Sequence, residues 1–85
     1  MTHKLHELAA EFPGDVDLLH RLKMTKGHFA ALADRYQEVN RAITRIESEI
    51  EVASDSRLEE LKKERLSLLD RIGEVIREAR HTSAV

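Results

Sequence analysis

Residues 29–50, FAALADRYQEVNRAITRIESEI, contain the strongest structural signal in the chain. Apolar side chains recur along this stretch at intervals of three, four, three, four, three and four residues. This spacing places them on one face of a helix and is typical of the contact face between paired helices. The members are Phe29, Leu32, Tyr36, Val39, Ile43, Ile46 and Ile50. The stretch therefore predicts a long helix that packs against a partner helix.

A second stretch, residues 58–79, LEELKKERLSLLDRIGEVIREA, repeats the same intervals after a short polar break. Its positions are Leu58, Leu61, Arg65, Leu68, Ile72, Val75 and Ala79. Because only a short turn separates the two runs, we expect an antiparallel hairpin of long helices over residues 28–51 and 57–80. We call both sets of residues together the hairpin seam. The implied alignment sets Glu47 across from Lys62.

Two short helices are expected before the hairpin, over residues 3–12 and 16–24, with Pro13-Gly14 as the break and Asp15 as a cap. The chain has 85 residues, no tryptophan and three aromatic residues in all. A core built from aliphatic side chains suits packed helices better than a sheet. We therefore expect one all-α domain over residues 1–85, in which the coiled-coil-like hairpin assembles into an oligomeric helix bundle.

The last helix carries a further apolar row, Leu66, Leu69, Gly73 and Ile76, spaced three, four and three residues apart. We call these four residues the second row. A helix that faces a single partner does not need two rows, so something else should dock there. The two candidate occupants are residues 16–24 of the same chain and a second copy of the chain. A small hairpin leaves one flank of each helix uncovered, so we favour a homo-oligomer, with a dimer first.

Composition excludes several classes of function. The chain has 14 Lys and Arg against 16 Asp and Glu, evenly spread, so nucleic acid is not an expected partner. No run approaches the roughly 18 apolar residues of a membrane span, and there is no signal-like apolar start, so we expect a cytoplasmic protein. There is no cysteine and no glycine-rich phosphate loop. We expect neither an enzyme nor a cofactor or metal site.

Arg65 is the one polar side chain in the seam, and two interpretations are open. Its stem could pack on Ile43 while the guanidinium reaches Glu47 or Asn40, which would fix the register of the helices. Alternatively, it could bind an anionic ligand or the carboxylate of a partner. His20 and His28 flank the break before the long helix, and two interpretations are open here as well. His28 could simply lie in the first turn of a helix and His20 on a helix flank, or the pair could form a metal site or a pH switch.

The sequence therefore favours a non-enzymatic protein–protein interaction module that self-associates through its hairpin, with an unidentified cytoplasmic protein as a possible further partner. The alternative is a sensor of a small ligand or metal ion that uses Arg65 and the region of His20 and His28. Neither interpretation names a biological role or a pathway, and neither fixes the number of chains in the oligomer.

Several short motifs along residues 5–76 occur together in this chain. They are Glu11-Phe12-Pro13, His20 with Leu22 and Lys23, His28-Phe29 with Leu32, Arg45-Ile46-Glu47, and the run from Leu61 to Ile72. As a set they resemble the YdcH-like family of small bacterial proteins. The resemblance implies a helix-turn-helix protein of the bacterial cytoplasm whose biochemical role is unassigned. The chain departs from the family pattern at Leu69, where relatives often carry lysine, so its second row is more apolar.

Overall fold

The computed structural model describes residues 3–83, and this part of the chain is all-helical. Its elements are α1 (His3–Glu11), a 3₁₀ turn (Pro13–Asp15), α2 (Val16–Thr25), α3 (Gly27–Glu47) and α4 (Asp55–Ser83). Helices α3 and α4 pack together along their length as the predicted hairpin. The all-α class and the hairpin are therefore confirmed, and the two short helices lie close to their predicted bounds.

The alignment of the two long helices agrees with the sequence-based expectation at Glu47 and Lys62. The Nζ atom of Lys62 lies 3.1 Å from Oε2 of Glu47. Arg65 on α4 donates a hydrogen bond from Nη1 to Oδ1 of Asn40 on α3, over 3.1 Å. An ion pair between exposed side chains is worth only about 0–1 kcal/mol, so these contacts indicate the register more than they stabilise it.

Most of the hairpin seam is buried. The buried members are Phe29, Leu32, Tyr36, Val39, Ile43, Leu61, Leu68 and Ile72, and the partly buried apolar members are Ile46, Leu58, Val75 and Ala79. The core also takes in Leu8 of α1 and both Leu19 and Leu22 of α2. The short helices therefore belong to the same core as the hairpin.

The prediction that α3 continues to residue 51 and buries Ile50 is wrong. Helix α3 ends at Glu47, and Ile50 is 75% exposed. Glu49 adopts a left-handed conformation with φ of 61°, and the N–H of Ile50 donates to the carbonyl of Arg45 while the N–H of Glu49 donates to that of Ile46. This is the hydrogen-bond pattern of a Schellman motif, which terminates helices. The sequence hides it because the left-handed residue is usually glycine.

Helix α4 begins at Asp55, two residues before the predicted start, and ends at Ser83, beyond the predicted end at Arg80. The early start has a local cause. The backbone N–H of Arg57 donates to Oγ of Ser54 at 3.1 Å, which satisfies one of the free donors of the first turn. At the other end, the hydroxyl of Thr82 donates to the carbonyl of Glu78.

The short helices cover half of the second row. Ile76 is 1% exposed, and the ring of Phe12 lies so close to Gly73 that a Cβ placed there would be 3.9 Å from the ring. Phe12 leaves the helical conformation, with φ of −131°, directly before Pro13, as a residue that precedes proline prefers to do. Gly73 and Ile76 are therefore occupied within the chain, which corrects the prediction that they form part of an oligomer surface.

Asp15, directly before α2, forms an ion pair with Arg80 near the end of α4. The Nε atom of Arg80 donates to Oδ1 of Asp15 at 2.9 Å, and Nη2 donates to Oδ2. Asp15 is 9% exposed, and its carboxylate makes no hydrogen bond to the first turn of α2. The prediction that the Asp15 side chain caps α2 is therefore wrong, because its carboxylate accepts hydrogen bonds from the guanidinium of Arg80 instead.

The ion pair between Asp15 and Arg80 should make stability depend on pH. Hydrogen bonding from Arg80 holds the pKa of Asp15 below its ordinary value, against an opposing effect of burial. A carboxyl whose pKa is lower in the folded state stabilises the fold above its unfolded pKa of about 3.9 and stops doing so as pH falls through the folded pKa. We expect the free energy of unfolding to fall as pH is lowered from about 5 to 3, and to fall less steeply in Asp15→Asn.

The measurement is urea denaturation at a series of pH values. Glu64 also has a lowered pKa, caused by its hydrogen bond from Arg35, so the variant should keep part of the slope. Glu60→Gln is the control, because Glu60 is exposed and makes no ion pair within residues 7–82. Equal slopes for Asp15→Asn and the parent chain would contradict the expectation.

Candidate functional site

The other half of the second row is open to solvent. Leu66 is 63% exposed at the middle of α4, and Leu69 beside it is partly buried. The other large apolar side chains with high exposure among the described residues are Val16, Met24, Ile50 and Val52. Leu66 differs from these because it continues an apolar row in the middle of a long helix.

Two hollows meet at Leu66 and Leu69. One is a cleft of about 550 Å³ between α1 and the hairpin, which Glu7, Tyr36, Asn40, Lys62 and Arg65 also line. The other lies beside it, with Phe12 and Gly73 in its wall. Both hollows are open to solvent, so the two leucines form the floor of one shallow surface that runs along α4. We call this surface the α4 face.

Two hydrogen bonds within the cleft link α1, α3 and α4. Arg65 of α4 donates to Asn40 of α3, and Nδ2 of Asn40 donates to Oε2 of Glu7 on α1. These contacts link α1 to the hairpin and agree with the alignment of α3 and α4. Of the two interpretations of Arg65, the contact with Asn40 favours the structural one. Guanidinium groups have further donors, so Arg65 can still contribute a charge to the rim of the cleft.

Tyr36 lies at the bottom of the same cleft and is 4% exposed. Burial raises the pKa of its hydroxyl, with the nearby Glu11 and Glu7 adding to the shift. Tyr36 is therefore neutral at physiological pH. The cleft presents charges of both signs at its edge, Lys62 and Arg65 against Glu7 and Glu11.

His20 and His28 were expected at local positions on helix flanks, with a metal site or pH switch as the alternative. Both are exposed, the first on α2 and the second in the first turn of α3. Within the described residues, no three His, Cys, Asp or Glu side chains come together to hold a metal ion. None of the described helices is apolar enough over sufficient length to cross a membrane.

Comparison with known proteins identifies the family. The model of a family described as "Protein of unknown function (DUF465)" matches residues 29–75, just over half of the chain. The chain belongs to the DUF465 family. YdcH-like proteins are members of it, so the resemblance seen in the sequence is confirmed. No curated protein and no solved structure matches the chain.

The part of the chain that matches the family coincides with the hairpin. Residues 29–75 begin two residues after the start of α3 and end within α4, so they contain most of the hairpin seam together with Leu66 and Leu69. The sequence identified these two leucines as part of a contact surface. It did not single out Lys62, Asp70 and Arg77, although their spacing places them close to Leu66 on the surface of a helix.

Proposed function

We propose that this chain is a non-enzymatic protein–protein interaction module that self-associates through the α4 face. The observation that carries the proposal is the 63% exposure of Leu66 beside the partly buried Leu69, in the middle of a long helix. Exposed apolar side chains next to others of their kind mark interaction sites more often than isolated ones do. From the family resemblance alone, we also propose that the protein acts in the bacterial cytoplasm.

The shape of the chain supports self-association. Its principal extents are 48 × 24 × 21 Å, and its accessible surface is 6084 Å². A compact monomer of 9.8 kDa is expected to expose about 5,200 Å². The difference of about 900 Å² is close to the roughly 800 Å² that each partner contributes to a standard interface. An elongated chain that exposes more surface than a compact monomer of its mass can bury part of that surface by dimerising.

The non-enzymatic part of the proposal rests on the type of cavity. Catalytic groups work in pockets that exclude water and hold a nucleophile, a base or a metal ion in place. The clefts along the described residues are open to solvent and mix charges of both signs. The sensor alternative has less support, because Asn40 engages the guanidinium of Arg65 and because His20 and His28 are both exposed.

The test is a pair of substitutions that add the same charge to adjacent positions of α4. Leu66→Glu should convert the dimer into a monomer, because it places a carboxylate in the apolar centre of the proposed interface. Ser67→Glu is the control, because Ser67 is exposed about a quarter-turn away, outside that centre. Sedimentation velocity gives the mass of each variant, and circular dichroism checks that both remain helical.

We expect Leu66→Glu to raise the dimer dissociation constant at least tenfold and Ser67→Glu to leave it close to that of the parent. Since Leu66 is largely exposed in the single chain, the fold should tolerate the change. If Leu66→Glu remained a dimer as stable as the parent, self-association would have to use another surface.

A further inference from the structure

The outer surface of α4 carries a row of residues whose spacing is the same in both directions from Leu66. The row consists of Asp55, Glu59, Lys62, Leu66, Asp70, Gly73 and Arg77, at intervals of four, three, four, four, three and four. All of these residues except Gly73 are exposed. At 3.6 residues per turn, such intervals keep the positions within a narrow stripe along the helix. We call these seven residues the outer stripe.

The charges of the outer stripe reverse sign about Leu66. Lys62 and Asp70 each lie four residues from Leu66, and Asp55 and Arg77 each lie eleven residues from it. Each positive position on one side therefore corresponds to a negative position at the same distance on the other side. Two antiparallel copies of α4 with Leu66 opposite Leu66 would bring every such position next to its opposite charge.

The two remaining positions of the outer stripe are Glu59 and Gly73, which each lie seven residues from Leu66, so Glu59 of one copy would lie opposite Gly73 of the other. Within its own chain, Gly73 is covered by the ring of Phe12, and the guanidinium of Arg77 lies beside it. Glu59 of the second copy would therefore meet this guanidinium, which carries the opposite charge.

From these observations we infer that the partner of the α4 face is a second copy of this chain, held antiparallel about a twofold axis that passes at Leu66, with Lys62 of each copy beside Asp70 of the other. This inference rests on the proposed self-association and specifies its geometry. In a twofold interface each contact occurs twice, so a self-complementary charge pattern is the one required.

The charged groups are free to make these contacts. Asp55 and Asp70 have no ion-pair partner within residues 7–82. Lys62 pairs with Glu47 in the single chain, but both side chains are about half exposed, so this pair is weak and can rearrange. Asp55 of each copy would pair with Arg77 of the other, and these two pairs would lie about 33 Å apart along the helix at 1.5 Å per residue. The contact would therefore extend over most of α4.

A charge exchange across the proposed axis tests the geometry. Asp70→Lys places Lys62 of each copy beside a lysine, and Lys62→Glu places Asp70 of each copy beside a glutamate. Each variant alone should therefore repel its own copy at two points. The double variant Lys62→Glu/Asp70→Lys, and an equimolar mixture of the two single variants, should restore opposite charges. Glu60→Lys is the control, since it makes the same charge change as Asp70→Lys on a part of α4 outside the outer stripe.

Sedimentation velocity of the full-length chains provides the readout, and circular dichroism verifies their helicity. We expect each single variant to raise the dimer dissociation constant at least tenfold. The double variant and the mixture should return to within about threefold of the parent, the mixture as a heterodimer, and Glu60→Lys should match the parent. Mass spectrometry of the intact complex distinguishes the heterodimer from the two homodimers.

Two results would overturn the twofold arrangement while leaving self-association intact. One is a dimeric parent whose two single variants dimerise as well as Glu60→Lys does. The other is a loss in both single variants that neither the double variant nor the mixture repairs. A parent chain that stays monomeric at every concentration would overturn the proposed function together with this geometry.

Discussion

Replacement of Phe29 by alanine is expected to lower the free energy of unfolding by about 3–5 kcal/mol. Phe29 is 0% exposed and is the largest fully buried side chain of the core. It lies in the first turn of α3, where the short helices meet the hairpin. Small domains have only about 5–15 kcal/mol of stability in total, so the variant should be largely unfolded in mild denaturant. Urea denaturation followed by circular dichroism measures the change.

The control for Phe29→Ala is Val52→Ala, which truncates an apolar side chain that is 98% exposed in the turn between α3 and α4. Surface substitutions of this kind usually change stability by less than about 0.5 kcal/mol. If Phe29→Ala lowered the free energy of unfolding no more than Val52→Ala does, the conclusion that Phe29 lies at the centre of a shared core would be wrong.

Ile76→Ala should lower the free energy of unfolding by about 2–5 kcal/mol, as other truncations of buried isoleucine do. Ile76 is 1% exposed and joins the cluster that contains Leu8 and Leu19 of the short helices. Because its surroundings come from its own chain, the loss should be the same whether or not the protein dimerises. Thermal or urea unfolding of Ile76→Ala in the parent and in a Leu66→Glu background measures both values.

The comparison between the two backgrounds is what makes the Ile76 experiment informative. A loss that occurs only in the dimeric background would mean that Ile76 contacts a second chain, as the sequence alone suggested. Leu66→Ala is the matched control, because it truncates an apolar residue of the same helix that is 63% exposed in the single chain. In the monomeric concentration range it should cost much less than Ile76→Ala.

The hairpin was predictable because the same apolar spacing occurs twice in the sequence. The alternation of three and four residues from Phe29 onward, and again from Leu58 onward, requires two helices that face each other. The short polar turn leaves the antiparallel arrangement as the simplest one. The contact between Glu47 and Lys62 then agrees with the alignment of the two patterns.

The end of α3 was not predictable from the same pattern. Ile50 continues the periodicity, yet Glu49 takes a left-handed conformation and ends the helix before it. Non-glycine residues adopt this conformation in only a few per cent of cases, so nothing in the sequence marks Glu49. The link between Asp15 and Arg80 was equally hidden, because the two residues are 65 positions apart and belong to no common pattern.

The second row shows the limit of periodicity as a guide to partners. Its spacing indicates that an apolar surface must be covered, but it does not indicate which chain covers that surface. In the structure, Gly73 and Ile76 are covered within the single chain, Gly73 by Phe12, and Leu66 is left exposed. Phe12 reaches Gly73 because the chain turns at Pro13, and the path of that turn cannot be derived from the pattern on α4.

Self-association is the claim on which the proposed function depends, and the mass of the unmodified protein in solution tests it. Sedimentation equilibrium over a range of concentrations should give a mass that approaches about 19.6 kDa, twice the 9.8 kDa of one chain. A mass that stays at 9.8 kDa up to the highest concentration would contradict the claim. It would leave the α4 face as a surface for a different protein.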